Sequence, residues 1–381
     1  MQSLLEDILV LDFSQFLSGP SASLRLADMG ARVIKIERPD TGDICRMLYV
    51  SDVKLQGGES TIFHAINRNK ESYSADIKDE VSLASVRKLI TKADVLIHNF
   101  RPGVMERIGL NYERVKQINP AIIYGEISGY GQEGEWNTLP GQDLLLQSVS
   151  GITYLTGSAD QPPVPMGVAV ADIVAGTHLT QGILAALFQR LHSNEGALVQ
   201  VSMLESLLDF QFEVLTCFFN DGNALPERCA VNGAHAYIAA PYGIYKTANG
   251  YIAIAMTPIP RLAELMGVEA LNSYPDPADW FSKRDEIKSI LKAAFAQKTT
   301  TDWLSVLEPA DIWCANVYDY DALLASEGYK RLAMEQWVTS HEIKIKTTRC
   351  PVRVDGDFLV SEKGAPALGE HNAKIIEEFG L

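Results

Sequence analysis

The hydrophobic positions of the first 130 residues fall into short continuous apolar runs separated by amphipathic ones. "DILVLDF" (7–13), "ARVIKIERP" (31–39), "DVLIHNF" (94–100) and "AIIYGEISGYG" (121–131) read as strands buried on both faces. Between them, "GPSASLRLADMG" (19–30) and "VSLASVRKLITKA" (81–93) carry helical spacing. Strands alternating with helices at this interval predict a parallel, doubly wound α/β sheet, which binds ligands at the carboxyl ends of its strands.

Further along, "QGILAALFQRL" (181–191) and "MLESLLDFQFEVLTCFF" (203–219) are strongly helical, with a strand expected in "NEGALVQVS" (194–202) between them. The texture then changes. "GNALPERCAVNGAHAYIAAPYG" (222–243) is rich in Gly, Ala and Pro and reads as a linker or site loop, and "GIYKTANGYIAIAM" (243–256) reads as a hairpin opening a second domain. Helices are expected over 257–310 and a returning strand over 311–319. A late strand in "TTRCPVRVDGDF" and a terminal helix after "GAPALGEHN" complete the tail.

The 381 residues exceed one ordinary core, so two or three domains, or a large one with an appendage, are expected. A net charge of −15 argues against general affinity for nucleic-acid phosphates or acidic membranes, and leaves any anionic ligand dependent on a local basic cluster. "MQSLLEDILVLDFSQFL" has no basic n-region, and no uninterrupted apolar stretch approaches the length of a membrane span. The five scattered cysteines lack CxxC pairing, and the seven histidines lack metal-ligand spacing, so neither a disulfide framework nor a metal site is expected. A reducing cytoplasm fits this usage.

One stretch stands out chemically. In "GVAVADIVAGTHLTQGILAALFQRL" (167–191), Asp172 is a lone carboxylate at the start of an apolar helix, among small residues. Two readings are compatible with it: a helix N-cap, or a nucleophile or acid/base group set in apolar surroundings with room for a ligand. No nucleophile elbow, GxGxxG fingerprint or Walker loop competes with it. Pattern alone leaves a carboxylate enzyme and a binding module both open.

"ILVLDFSQFLSGPSASLRLADMGARVIKIERPDTGD", "NRNKESYSADIK", "ADVLIHNFRPGVMERIGL", "INPAIIYGEISGYGQEG", "GVAVADIVAGTHLTQGILAAL", "GYIAIAM" and "APALGEHN" together resemble the family III CoA-transferases, a group extending to α-methylacyl-CoA racemase. They are collinear over residues 7–372. The resemblance implies a Rossmann-like large domain made from both chain ends (1–221 and a return segment, 326–381), a smaller middle α+β domain (222–325), and an interlocked homodimer.

It further implies that Asp172 is the catalytic carboxylate, that coenzyme A enters as a thioester substrate with no permanently bound cofactor, and that a small carboxylic acid accepts it. By the same resemblance Gln15, Phe16, Arg38, Asn99, Phe100 and Arg107 contact CoA. Gln142 departs from the family, standing where racemases carry a histidine and many transferases a tyrosine; an amide cannot act as a general base. Asp143 beside it is retained and is expected to orient or tune Asp172. No glycine-rich covering loop is present; Gly233, His235 and Tyr237 of "VNGAHAYIAAPYG" are the candidates to take its place against the substrate, facing the partner subunit's site. An α-proton enzyme acting on acyl-CoA and a catalytically silent CoA-binding protein are the alternatives.

Overall fold

The computed structural model describes residues 3–48 and 58–381. The chain forms two compact units, one of residues 1–146, 169–210 and 331–381, the other of 147–168 and 211–330. The boundaries expected at 221/222 and 325/326 thus fall at 210/211 and 330/331, and residues 147–168 join the second unit rather than the large domain. Hydrogen bonding explains the shift. Ala159 N–H donates to Cys229 O, Gly233 N–H to Ser158 Oγ, and Arg228 to Thr156 O, tying this excursion to the 228–233 loop.

The first unit is built on a six-stranded, wholly parallel sheet. Its strands are β1 (Leu9–Asp12), β2 (Arg32–Glu37), β3 (Glu71–Ser74), β4 (Val95–His98), β5 (Ile123–Ser128) and β6 (Ala197–Ser202), in the order β3-β2-β1-β4-β5-β6. The order reverses between β1 and β4, the topological switch point at which such sheets open a crevice. β4 is buried along its whole length, whereas edge strand β6 alternates, which is why its sequence "ALVQVS" looks half polar.

β3 was not expected as a strand, because "ESYS" is polar. Its polar groups are buried but paired: Glu71 binds Arg32 and Lys374, and Ser72 Oγ donates to Glu37. The carboxyl-terminal helix Asn372–Phe379 docks here too, with His371 N–H donating to Ser72 O, so both ends of the chain build this unit. The tail also holds an antiparallel pair, β10 (Glu335–Ser340) with β11 (Ile343–Thr348), where only a later single strand was expected.

Helix α1 (Ser18–Asp28) follows β1, and the long helix Val170–Ser193 packs against it. By length and composition that long helix could cross a membrane, contrary to the sequence expectation. Here its buried face instead includes Ala175, Leu179 and Ile183, the last two facing Gly125 of β5.

In the second unit the expected hairpin is present, β7 (Gly243–Lys246) pairing antiparallel with β8 (Tyr251–Ile254), and β9 (Cys314–Asn316) adds a third strand. Tyr245, Phe295 and Trp303 form the aromatic centre of its core. A Thr299–Asp302 capping box starts the helix Thr300–Leu307. The helix Phe212–Asn220 of this unit buries none of its residues and leaves Phe212 and Phe219 about two-thirds exposed (68% and 64%).

Candidate active site

At the carboxyl ends of β1, β4 and β5 the first unit holds a cavity of about 740 Å³. Gln15, Phe16, Asn99, Phe100, Gln142, Asp143 and Asp172 all line it, so seven of the residues singled out from sequence converge.

Asp172 does not cap its own helix. The cap position is Ala169, whose side chain makes no capping bond, and Asp172 lies within the first turn. The capping work falls to Asp143, whose Oδ1 accepts from Ala171 N–H at 2.7 Å. Asp172 faces Ser18 instead, whose hydroxyl and backbone N–H favour its ionised form. Ser18 is the first residue of α1, where amides have no partner inside the helix and the dipole is positive.

Gly176 makes this meeting possible. A Cβ there would lie 2.1 Å from Ser21 Oγ and 2.7 Å from Ser18 O, so only glycine lets the two helices approach so closely. Ala171 and Ala175 are fully buried in the same helix. The small residues expected to leave room for a ligand are therefore mostly packing residues. Only Ala169 lines the cavity, and Gly167 belongs to the second unit.

Burial pushes the Asp172 carboxyl up to about 6, and the negative charge of Asp143 adds to the rise against the pull of the Ser18 donors. At neutral pH the group is ionised, yet more basic than an ordinary aspartate.

The first strand-end loop is held from below. Asn99 clamps it with both ends of its amide: Oδ1 accepts from Gln15 N–H at 2.8 Å, while Nδ2 donates to Gln15 O at 2.7 Å and to Ser18 Oγ at 3.1 Å. Phe16 sits in left-handed backbone (φ 62°), a conformation costing a non-glycine residue on the order of 1 kcal/mol or more. Beneath it, Lys35 lies 2.9 Å from Asp43 and donates to Ser14 O at 2.7 Å.

Asp12 accepts from Lys70 and from Ser23, and Glu37 pairs with Arg46, so a ladder of buried charges underlies the cavity. Burial alone would raise the Asp12 carboxyl, but Lys70, Lys35 and the Ser14 and Ser23 hydroxyls hold it far below the usual range. Sequence reasoning missed this ladder. The available signal was charge inside apolar runs, Lys35 in "VIKIE" and Asp12 in "LVLD".

Phe100 stacks on His98, with ring centroids 6.0 Å apart and planes at 20°. Gly129 and Gly141 touch backbone to backbone, a Cβ on Gly129 falling 2.7 Å from Gly141 Cα, which sets Gln142 and Asp143 beside the end of β5. Arg38 and Arg107 are exposed and do not line the cavity. Arg101, not singled out from sequence, does, and it is the one Lys or Arg among the described lining residues.

Gly233, His235 and Tyr237 do not line the cavity either; they belong to the second unit. There Gly233 N–H donates to Ser158 Oγ at 3.0 Å, His235 Nε2 lies 3.4 Å from Glu213, and Tyr237 N–H donates to His235 Nδ1 at 3.2 Å.

Residues 5–372 match the CoA-transferase family III. The chain is 33% identical to an acetyl-CoA:oxalate CoA-transferase of Acetobacter aceti, over 98% of this chain and 95% of that protein. It is 32% identical to a succinyl-CoA:glutarate CoA-transferase of Mus musculus, over 98% and 86% respectively. Among solved structures, a CAIB/BAIF family protein from Brucella suis superposes with a TM-score of 0.84 at 28% identity, covering 98% of both chains. With a switch-point cavity, a carboxylate raised toward neutrality and a match along nearly its whole length, the chain belongs to CoA-transferase family III.

Proposed function

We propose that the protein moves coenzyme A from an acyl-CoA thioester to a small carboxylic acid, with Asp172 as covalent nucleophile. The observation that carries this is the Asp172 carboxylate itself. It lines the cavity, it is made more basic by burial, and it is not consumed in capping its own helix.

Attack of the carboxylate oxygen on the thioester carbonyl expels CoA thiolate and leaves an acyl-aspartyl anhydride. The thiolate returns to the aspartyl carbonyl, releasing the donor acid and forming an aspartyl-CoA thioester. The acceptor carboxylate then attacks that carbonyl, expelling thiolate and forming a second anhydride. Thiolate attack on the acceptor's carbonyl yields the new thioester and restores Asp172. No proton is transferred in any step, which suits a site whose neighbouring Gln142 is an amide. In the two middle steps, where the aspartyl carbonyl is the carbon attacked, the amino end of α1 at Ser18 favours the charge that collects on the Asp172 oxygen.

Phe16 and Phe100 offer aromatic surface to the thioester's pantetheine or adenine, and Arg101, with the exposed Arg38 and Arg107, offers charge to its phosphates. The curated relatives act with short acids, oxalate and glutarate among them, and a short organic acid is the proposed acceptor class. The exposed phenylalanines of the helix Phe212–Asn220 support a homodimer, in which such an apolar face is covered. Five free cysteines support a reducing, cytoplasmic setting.

Brief incubation with acyl-CoA, hydroxylamine trapping and mass spectrometry of the peptide holding Asp172 tests the mechanism. A hydroxamate on Asp172 is expected. Turnover without any adduct, and undiminished in Asp172→Ala, would overturn it.

A further inference from the structure

We propose that Asp43, ion-paired to Lys35, is a positioning residue that holds Phe16 in left-handed backbone and so sets the aromatic wall against which the CoA thioester lies. This rests on the reading of the cavity as an acyl-CoA site.

Both side chains are buried, Asp43 at 1% exposure and Lys35 at 0%, and neither lines the cavity. One oxygen of Asp43 serves two walls. Oδ1 accepts from Phe16 N–H at 3.2 Å and from Cys45 N–H at 2.9 Å, the latter bond capping the short turn Ile44–Met47. Phe16, Ile44 and Cys45 all line the cavity. The other oxygen faces Lys35 Nζ at 2.9 Å.

Lys35 in turn donates to Ser14 O, so the pair grips the backbone on both sides of Gln15. Asp43 is itself fixed, its N–H donating to Glu37 Oε2 at 3.0 Å. A phenylalanine does not hold φ 62° for its own sake, and the residue is 41% exposed in this protein, too open for core packing to enforce the backbone. The hydrogen bond to Asp43 supplies the constraint, and the charge of Lys35 makes a buried acceptor at that point tolerable.

The reaction is measured in the full-length protein with acyl-CoA, alongside calorimetric titration with free CoA, in Asp43→Ala, Asp43→Asn, Phe16→Gly and the double variant Asp43→Ala/Phe16→Gly. Asp43→Ala is expected to raise KM for the thioester about ten-fold while kcat stays within about two-fold. Asparagine keeps the Oδ1 acceptor, so Asp43→Asn is expected to stay within about three-fold of the parent KM even as its melting temperature falls. In the Phe16→Gly background, where glycine adopts positive φ without help, Asp43→Ala is expected to add less than about two-fold.

Equal KM losses in both backgrounds, a loss in Asp43→Asn as large as in Asp43→Ala, or a fall in kcat with KM unchanged would overturn the proposal. Should Asp43→Ala fail to fold, Lys35→Met/Asp43→Leu, which removes the buried pair and the acceptor together, takes its place in each comparison. A parent protein that binds no CoA would overturn the cavity's assignment instead, whereas CoA binding indifferent to Asp43 would overturn only this inference.

Discussion

Asp143 caps the helix that carries Asp172: its Oδ1 accepts from Ala171 N–H at 2.7 Å, although Asp143 begins another helix (Asp143–Val149) 28 positions earlier in the chain. Asp172 is thereby spared the capping duty that its place in the first turn would give it. The same carboxylate raises the Asp172 pKa through its charge, so Asp143 both builds and tunes the site.

The pH dependence follows from that pair. In the proposed mechanism only ionised Asp172 attacks a thioester, so kcat/KM is expected to rise with pH through a midpoint near 6 and level off above it. Asp143→Asn keeps an oxygen for Ala171 N–H but removes the like charge, and is expected to move the midpoint down by about half a unit. A pH–rate series on both proteins checks this; an unmoved midpoint would show that burial alone sets the value.

Asp172→Asn is expected to lower turnover by about a thousand-fold or more and to abolish hydroxylamine trapping. It is also expected to stabilise the fold. Because the folded carboxyl titrates higher than an ordinary aspartate, its contribution to stability is present at low pH and lost as pH rises through about 6. The ionised group therefore penalises the folded state at neutral pH. Allowing for its partial exposure, about 1–2 kcal/mol is recovered at pH 7.5, a rise in Tm of about 2–4 °C. Thermal melts at pH 7.5 and pH 4 check the sign, since the gain is expected to vanish at the lower pH.

Gly176→Ala places a methyl group into Ser21 Oγ and the Ser18 carbonyl. The expected cost is about 1–3 kcal/mol of stability, together with a fall in kcat of about ten-fold as Ser18 and Asp172 are pushed apart. Chemical denaturation and steady-state kinetics separate the two effects. A variant with lower Tm and unchanged kcat would show that the Ser18 contact does not matter to the reaction.

Lys70→Met leaves Asp12 buried with one cation fewer, since Lys70 Nζ is 3.0 Å from Asp12 Oδ2 and also binds Pro20 O, Ser23 Oγ and Asn67 Oδ1. A loss of about 3–5 kcal/mol is expected, measurable by denaturant titration. A neutral substitution would mean that the charge ladder is dispensable to folding.

Much of the first unit was legible in sequence because its physics is local. "LVLD", "RVIKIE", "VLIH" and "IYGEIS" are runs buried on both faces, a pattern that parallel strands between helix layers impose, and β1, β2, β4 and β5 lie where those runs predict. The strand-end residues Gln15, Phe16, Asn99 and Phe100 were legible for the same reason, since a doubly wound sheet opens its crevice at those ends. β3 was not, because burial of Glu71 depends on partners that lie 39 residues away at Arg32 and at the far end of the chain at Lys374.

The sequence by itself determined five of the six strands of the sheet and the family, and singled out Asp172 as the candidate carboxylate, since each is written in contiguous runs and collinear motifs. The tertiary structure decided what surrounds that carboxylate. Gly176 against Ser18, Asp143 against Ala171, and Asp43 between Phe16 and Lys35 are contacts across separate elements, and no periodicity along the chain encodes them. The first two act on Asp172 electrostatically and sterically at a few ångströms, so their effect came into view only once α1, the 143–149 helix and the 170–193 helix were packed together.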